Sequence, residues 1–180
     1  MHVSSKNRGL TVYELVLFAM LGMVMFVSKI VMEFLPNIHL LGMLTMVYTL
    51  TFRGKALIPI YIYVFVNGLY GGFAVWWVPY LYVWTVLWAV TMLLPRQMPR
   101  WLACVVYPLV CGLHGLAFGV LCAPMQALFF GLNGEMTVAW IVAGLPFDAI
   151  HAVSNTVVGL LILPLTELMK RLIRSSRRGT

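Results

Sequence analysis

The sequence predicts an all-α membrane protein of six transmembrane helices, one integral membrane domain over residues 1–180 with both termini in the cytoplasm. Three observations predict it. Apolar residues make up 62% of the chain and charged residues only 9%, with a mean hydropathy of +0.96. A soluble domain carries about a quarter charged residues, so this chain has too little charge to coat a globule, whereas a lipid-facing surface suits it. The apolar residues also fall into runs of the length a bilayer needs, about 20 residues. Finally, 11 of the 12 Lys and Arg residues gather at the two ends and between alternate runs, and only Lys29 stands inside one. No linker, low-complexity tract or fixed-period repeat divides the chain. In a soluble protein the net charge of +7 would suggest nucleic acid or an acidic partner. Here the placement of that charge between spans accounts for it, and no nucleic acid is expected.

The first span is residues 13–35 and ends at Pro36 and Asn37. Lys6 and Arg8 before it resemble the start of a signal peptide. The run is too long for one and lacks an Ala-x-Ala cleavage site, so a retained helix is expected. The second span, 38–52, is shorter and closes at Arg53-Gly54-Lys55; the third, 56–70, ends at Gly71 and Gly72. The fourth, 77–94, stops before Pro95, and the fifth, 101–122, is stopped by Pro124. The segment after it is harder to place. Residues 137–143 are apolar but short, and Gly144-Leu145-Pro146 follows. Proline fits the first turn of a helix and disrupts its interior, which places the sixth span at 146–169. A long, apolar outer loop then joins the fifth and sixth spans. The alternative is one kinked helix from Thr137.

The basic residues orient these spans. Lys6 and Arg8 precede the first, Arg53 and Lys55 join the second and third, and Arg96 and Arg100 join the fourth and fifth. Lys170, Arg171, Arg174, Arg177 and Arg178 follow the sixth, and the other three connections carry none. By the positive-inside rule the basic connections and both ends lie in the cytoplasm. The localisation that follows is a multi-pass protein of a bacterial cytoplasmic membrane.

Polar groups within spans are costly and need a reason. Lys29 and Glu33 lie four apart on the first span, hence on one face, either as a mutual ion pair or bordering a polar cavity. Tyr63, Asn67 and Tyr70 form a stripe on the third span, and Trp77, Tyr80, Trp84 and Trp88 another on the fourth. An interfacial aromatic belt explains Trp76, Trp77 and Tyr80; Trp84 and Trp88 sit deeper, where an aromatic wall for a planar ligand competes with plain packing. Asp148, His151 and Asn155 share a face on the sixth span, as interhelical hydrogen bonds or ligand contacts, and Asp148 would also complement a helix N-terminus. His114, among Gly112, Gly115 and Gly119, reads first as a packing histidine beside a close helix contact. Asn37 and His39 begin the second span. These groups converge on the outer side, giving a candidate substrate site of Lys29, Glu33, Asn37, His39, Asn67, Tyr70, Trp77, Tyr80, Trp84, Asp148, His151 and Asn155. Cys104, Cys111 and Cys122 have no metal-ligand spacing and are expected to pack. No metal-binding, nucleophile-elbow or phosphate-cradling motif occurs, so neither enzyme activity nor a metal or cofactor is expected.

The segment from Gly144 to Asn155 carries Pro146, Asp148, His151 and Asn155 in the order Pro-x-Asp-x-x-His-x-x-x-Asn. With the six-span, basic-inside plan, it resembles the substrate-binding S component of energy-coupling factor (ECF) transporters. That resemblance implies capture of a vitamin or similar micronutrient from outside. Delivery would run through a transmembrane coupling subunit carrying two ATPases, with ATP hydrolysed only there. It also implies docking through an Ala-x-x-x-Ala pattern on the first span. Here Ala19 is followed by Met23, with Gly22 beside it, so the pattern is degenerate and Ala19 and Gly22 are the docking residues it leaves. A stand-alone proton-coupled carrier with Asp148 and His151 as a relay is the competing reading. A membrane enzyme or haem protein using His39, His114 and His151 is a third.

Overall fold

The computed structural model describes residues 9–35 and 38–176. All their regular structure is helical: α1 (Val12–Val31), α2 (Leu41–Phe52), α3 (Leu57–Gly71), α4 (Tyr80–Leu93), α5 (Arg100–Leu116), α6 (Phe118–Phe130), α7 (Gly134–Gly159) and α8 (Ile162–Ser176). Short 3-10 turns at Arg53–Ala56 and Val75–Trp77 precede α3 and α4. Five continuous helical runs are long and apolar enough to cross a membrane. One of them, Leu41–Gly71, reverses at Arg53, whose backbone turns to φ 55°. Counted by direction, the described helices therefore run up and down the bundle six times. Large apolar side chains on their outer faces, among them Met20, Leu69, Leu93, Leu113, Val153 and Leu160, are exposed, as a lipid-facing surface requires.

Side-chain ties give the directions of the first four helices. Phe18 meets Phe52 edge to face and the Tyr48 hydroxyl donates to the Leu21 carbonyl, so α2 runs against α1. Lys55 pairs with Glu14, and Phe26 meets Tyr70, so α3 runs alongside α1. Trp77 Nε1 donates to the Val64 carbonyl and Arg53 to the Met92 carbonyl, which turns α4 back. One end of the bundle thereby collects Glu14, Arg53, Lys55, Arg100 and Glu167. The opposite end holds the C-terminus of α1 and the start of α2.

Helix α2 is the core of the bundle. Its 12 residues would extend about 18 Å at 1.5 Å per residue, short of a hydrocarbon layer about 30 Å thick, yet residues Leu41 to Leu50 are all buried. A short helix tolerates this position because protein, not lipid, surrounds it. Around it, α1 packs on α3 through Gly22. A side-chain carbon added there would lie 2.6 Å from Ile62 Cγ2 and 2.9 Å from the Pro59 carbonyl oxygen. Gly22→Leu is accordingly expected to lose about 1–3 kcal/mol through overpacking, read as a lowered melting temperature; unchanged melting would mean α1 is free to shift.

The helix pair α5 and α7 forms the tightest seam, antiparallel, with glycines at the points of closest approach. A Cβ at Gly115 would lie 2.9 Å from the His151 carbonyl oxygen, one at Gly112 3.2 Å from that of Ala152, and one at Gly159 2.8 Å from Pro108 Cα. The close contact read from these α5 glycines is present.

Two boundaries differ from expectation. The fifth span does not stop at Pro124: α5 breaks at Ala117 and α6 continues through Pro124 to Phe130, ending where Gly131 takes φ 64°. Nor does a long loop follow. Only Gly131 to Asn133 separate α6 from α7, and Asn133 caps α7 by accepting from the Met136 amide at 2.8 Å. The sixth span at 146–169 is likewise corrected, because α7 runs from Gly134 through Pro146 to Gly159, closer to the kinked-helix alternative. Each proline removes one helical hydrogen bond, but leaving the helix would strand several backbone groups away from water. The actual stop comes at Leu160 and Leu161. There Pro164 lacks the amide that would bond back, and its ring would crowd the Leu160 carbonyl of a continuous helix. The chain restarts as α8.

Candidate functional site

Trp84 is the centre of a ring cluster at the end of the bundle opposite the basic one. It is 1% exposed. Five rings surround it, with centroids at 5.8 Å (His114), 5.9 Å (Tyr80), 6.0 Å (His39), 6.2 Å (Phe118) and 6.3 Å (Tyr63). His151 closes the circuit, 4.5 Å from His39 and 5.0 Å from Phe118. The cluster draws on the α1–α2 connection, α3, α4, α5, α6 and α7. The helical period places its members: Tyr80 and Trp84 lie four apart on α4, and His151 and Asn155 four apart on α7.

The polar atoms here are the unusual feature. His39 Nδ1, Tyr63 Oη, both amide atoms of Asn67, Trp84 Nε1, His114 Nδ1, His151 Nε2, Ser154 Oγ and Asn155 Oδ1 are buried without a hydrogen-bond partner among the described residues. Proteins leave few buried polar groups unpaired, and each costs stability. Two other polar atoms of these side chains do have partners. His114 Nε2 lies 3.1 Å from the Val83 carbonyl, and the Asn155 amide donates to the Cys111 carbonyl at 3.4 Å. Five of the side chains with unpaired atoms, His39, Tyr63, Trp84, His114 and His151, are linked ring to ring, and Asn67 and Asn155 lie one helical turn from Tyr63 and His151. Formal charge is scarce beside them.

Asp148 supplies the one carboxylate on this face of α7, and it is engaged. Both its oxygens accept from the Gly119 amide, at 3.1 and 3.2 Å. The break at Ala117 leaves the first amides of α6 without helical acceptors, and Asp148 caps one of them from across the seam. A Cβ at position 119 would collide with that carboxylate, so glycine and aspartate are matched.

The other residues proposed from sequence divide. His39, Asn67, Tyr80, Trp84, His151 and Asn155 come together in the cluster or on the same helix faces. Tyr70 does not: it is 62% exposed and packs on Phe26. Trp77 and Trp88 serve as ties, donating to the Val64 and Arg53 carbonyls. Lys29 and Glu33 form an ion pair at 3.5 Å near the C-terminus of α1. Asn37 lies outside the described residues. On α1, Ala19 is exposed whereas Gly22 is buried in the α3 contact. Sequence reasoning passed over Phe118 and Ser154, left Tyr63 off the site and read His114 as packing. A signal was available for His114, whose flanking glycines draw α7 close enough for its ring to reach this region.

Despite three neighbouring histidines, no group of three or more His, Cys, Asp or Glu among the described residues is placed to hold a metal ion. Cys104, Cys111 and Cys122 are free thiols. No protein-family model matches the chain, and neither does any curated protein or solved structure.

Proposed function

We propose that this protein is the substrate-binding S component of an ECF-type importer. It captures a vitamin-like micronutrient from outside the cell and passes it inward through a coupling subunit driven by two ATPases. The observation that carries the reading is the set of unpaired polar atoms on Trp84 and on the rings linked to it, His39, Tyr63, His114 and His151, at one end of an apolar helical bundle. A flat ring would stack on the aromatic side chains and satisfy those donors and acceptors along its edge. With Asp148 engaged by Gly119 and Lys29 paired with Glu33, recognition by hydrogen bonds prevails over recognition by charge. This favours a planar, polar heterocycle.

The positive-inside rule orients the bundle. The end with Arg53, Lys55 and Arg100 faces the cytoplasm with both termini, in a bacterial cytoplasmic membrane, and the ring cluster faces outward. Engagement of Asp148 by a backbone amide also speaks against the stand-alone carrier, whose relay needs that carboxylate to exchange protons with His151.

Ala19, on the exposed face of α1, is the docking residue retained; Gly22 is already used by α3. Tagged protein drawn from its native membrane in mild detergent is expected to carry a transmembrane subunit and two ATPases. Ala19→Trp should weaken that assembly at least tenfold without altering the melting temperature of the isolated chain, because two helix backbones cannot approach across a large side chain. If instead the chain purifies alone and accumulates substrate by itself in proteoliposomes, it is a stand-alone carrier.

A further inference from the structure

On the basic half of the molecule, α1, α2 and α8 leave a groove of about 510 Å³ between them. Its walls are apolar: Leu21 and Val24 from α1, Val47 from α2, and Leu165, Met169 and Leu172 from α8. It follows α8 for about 12 Å from Leu165 to Ile173, at 1.5 Å per residue. Tyr13, Leu17, Phe52 and Ile173 continue it into a second cavity of about 250 Å³ whose lining turns polar, with Glu14, Thr51, Lys170 and Arg174.

The charges at that polar end are unbalanced. The carboxylate of Glu14 is held by Lys55 at 2.6 Å, and Glu167 pairs with Arg100 at 3.1 Å. No ion pair among the described residues includes Lys170 or Arg174. Burial, then the like charges of Arg174 and Arg53, lower the pKa of Lys170 below the ordinary lysine value, with Glu167 opposing. Two cations four residues apart on one helix, at the mouth of an apolar trough, thus have no ion-pair partner among the described residues.

We infer that this trough is a site for an anionic phospholipid, with its phosphate between Lys170 and Arg174 and an acyl chain lying along α1, α2 and α8. The membrane supplies such a molecule, and basic clusters beside apolar helix surfaces recognise it. A free phosphate would leave the apolar trough unused; a zwitterionic lipid would fill the trough but bring its own cation against Lys170. The lipid would hold α8, the last described helix, against the core.

The test measures thermal unfolding of the full chain in neutral detergent with added phosphatidylglycerol, phosphatidylcholine or soluble glycerol phosphate. Phosphatidylglycerol should raise the melting temperature about 2–4 °C more than phosphatidylcholine, and glycerol phosphate should have no effect. The double variant Lys170→Gln/Arg174→Gln should lose that difference, and Arg96→Gln, on the exposed α4–α5 connection, should keep it. Val24→Trp alters no charge and fills the trough from a half-exposed position, so it too should lose the difference. Equal response to the two lipids overturns the proposal. So does a full preference surviving in either trough variant, or glycerol phosphate reproducing the shift. A dimer by light scattering that Val24→Trp dissociates would instead assign the trough to a second copy.

Discussion

Replacing Asn67 by leucine is expected to stabilise the ligand-free protein and, in the same step, to remove most of its affinity for ligand. Asn67 is fully buried on α3, and neither its amide oxygen nor its amide nitrogen has a partner among the described residues. Leaving buried polar atoms unpaired costs about 1–3 kcal/mol. Leucine has nearly the same shape and no polar atoms, so the cost disappears. For a chain of this size that corresponds to a melting temperature higher by roughly 2–10 °C. A ligand that used both amide atoms would lose two neutral hydrogen bonds, each worth about 0.5–1.5 kcal/mol, a roughly 5- to 150-fold loss of affinity. Native mass spectrometry can follow this as the retention of co-purified small molecules. Opposed changes in stability and binding separate recognition from packing. If Asn67→Leu melts lower and binds normally, Asn67 is a structural tie between helices.

Asp148 should behave in the opposite way. Asp148→Ala strands the Gly119 amide at the start of α6, in a buried seam, and is expected to cost about 1–3 kcal/mol with little change in affinity. Asp148→Asn keeps an acceptor oxygen facing that amide and should lose only a fraction of this. Thermal unfolding and ligand retention measured on both variants decide the matter. Normal melting with lost binding in Asp148→Ala would make the carboxylate a ligand contact and its bonds to Gly119 incidental.

The contrast between Asn67 and Asp148 also shows how far the site could be read from sequence. Both are polar residues on stripes that face the bundle interior, and helical spacing identifies both. Spacing gives the face of a helix but not what stands across from it. Asp148 meets a backbone amide exposed by a helix break, a break no residue type announces. Asn67 meets no hydrogen-bond partner among the described residues. Tyr70 shares the stripe of Asn67, yet at the last turn of α3 it is exposed, beside Phe26.

What the sequence determined by itself is an all-helical protein with helices long and apolar enough to cross a membrane, and which connections are basic. Those properties are local: the length of an apolar run must match the bilayer, and each Lys or Arg either stands in a run or between two. The tertiary structure alone decided that α7 passes through Pro146 without stopping, that α5 breaks at Ala117, and that α2 can be as short as 12 residues. A proline ends a helix when water or a turn can take up the freed backbone groups. Inside a bundle nothing else satisfies them, so the helix continues with one bond missing. The same dependence on neighbours brought His114 beside Trp84 and turned Gly22 toward α3, because closeness between helices follows from how all of them pack.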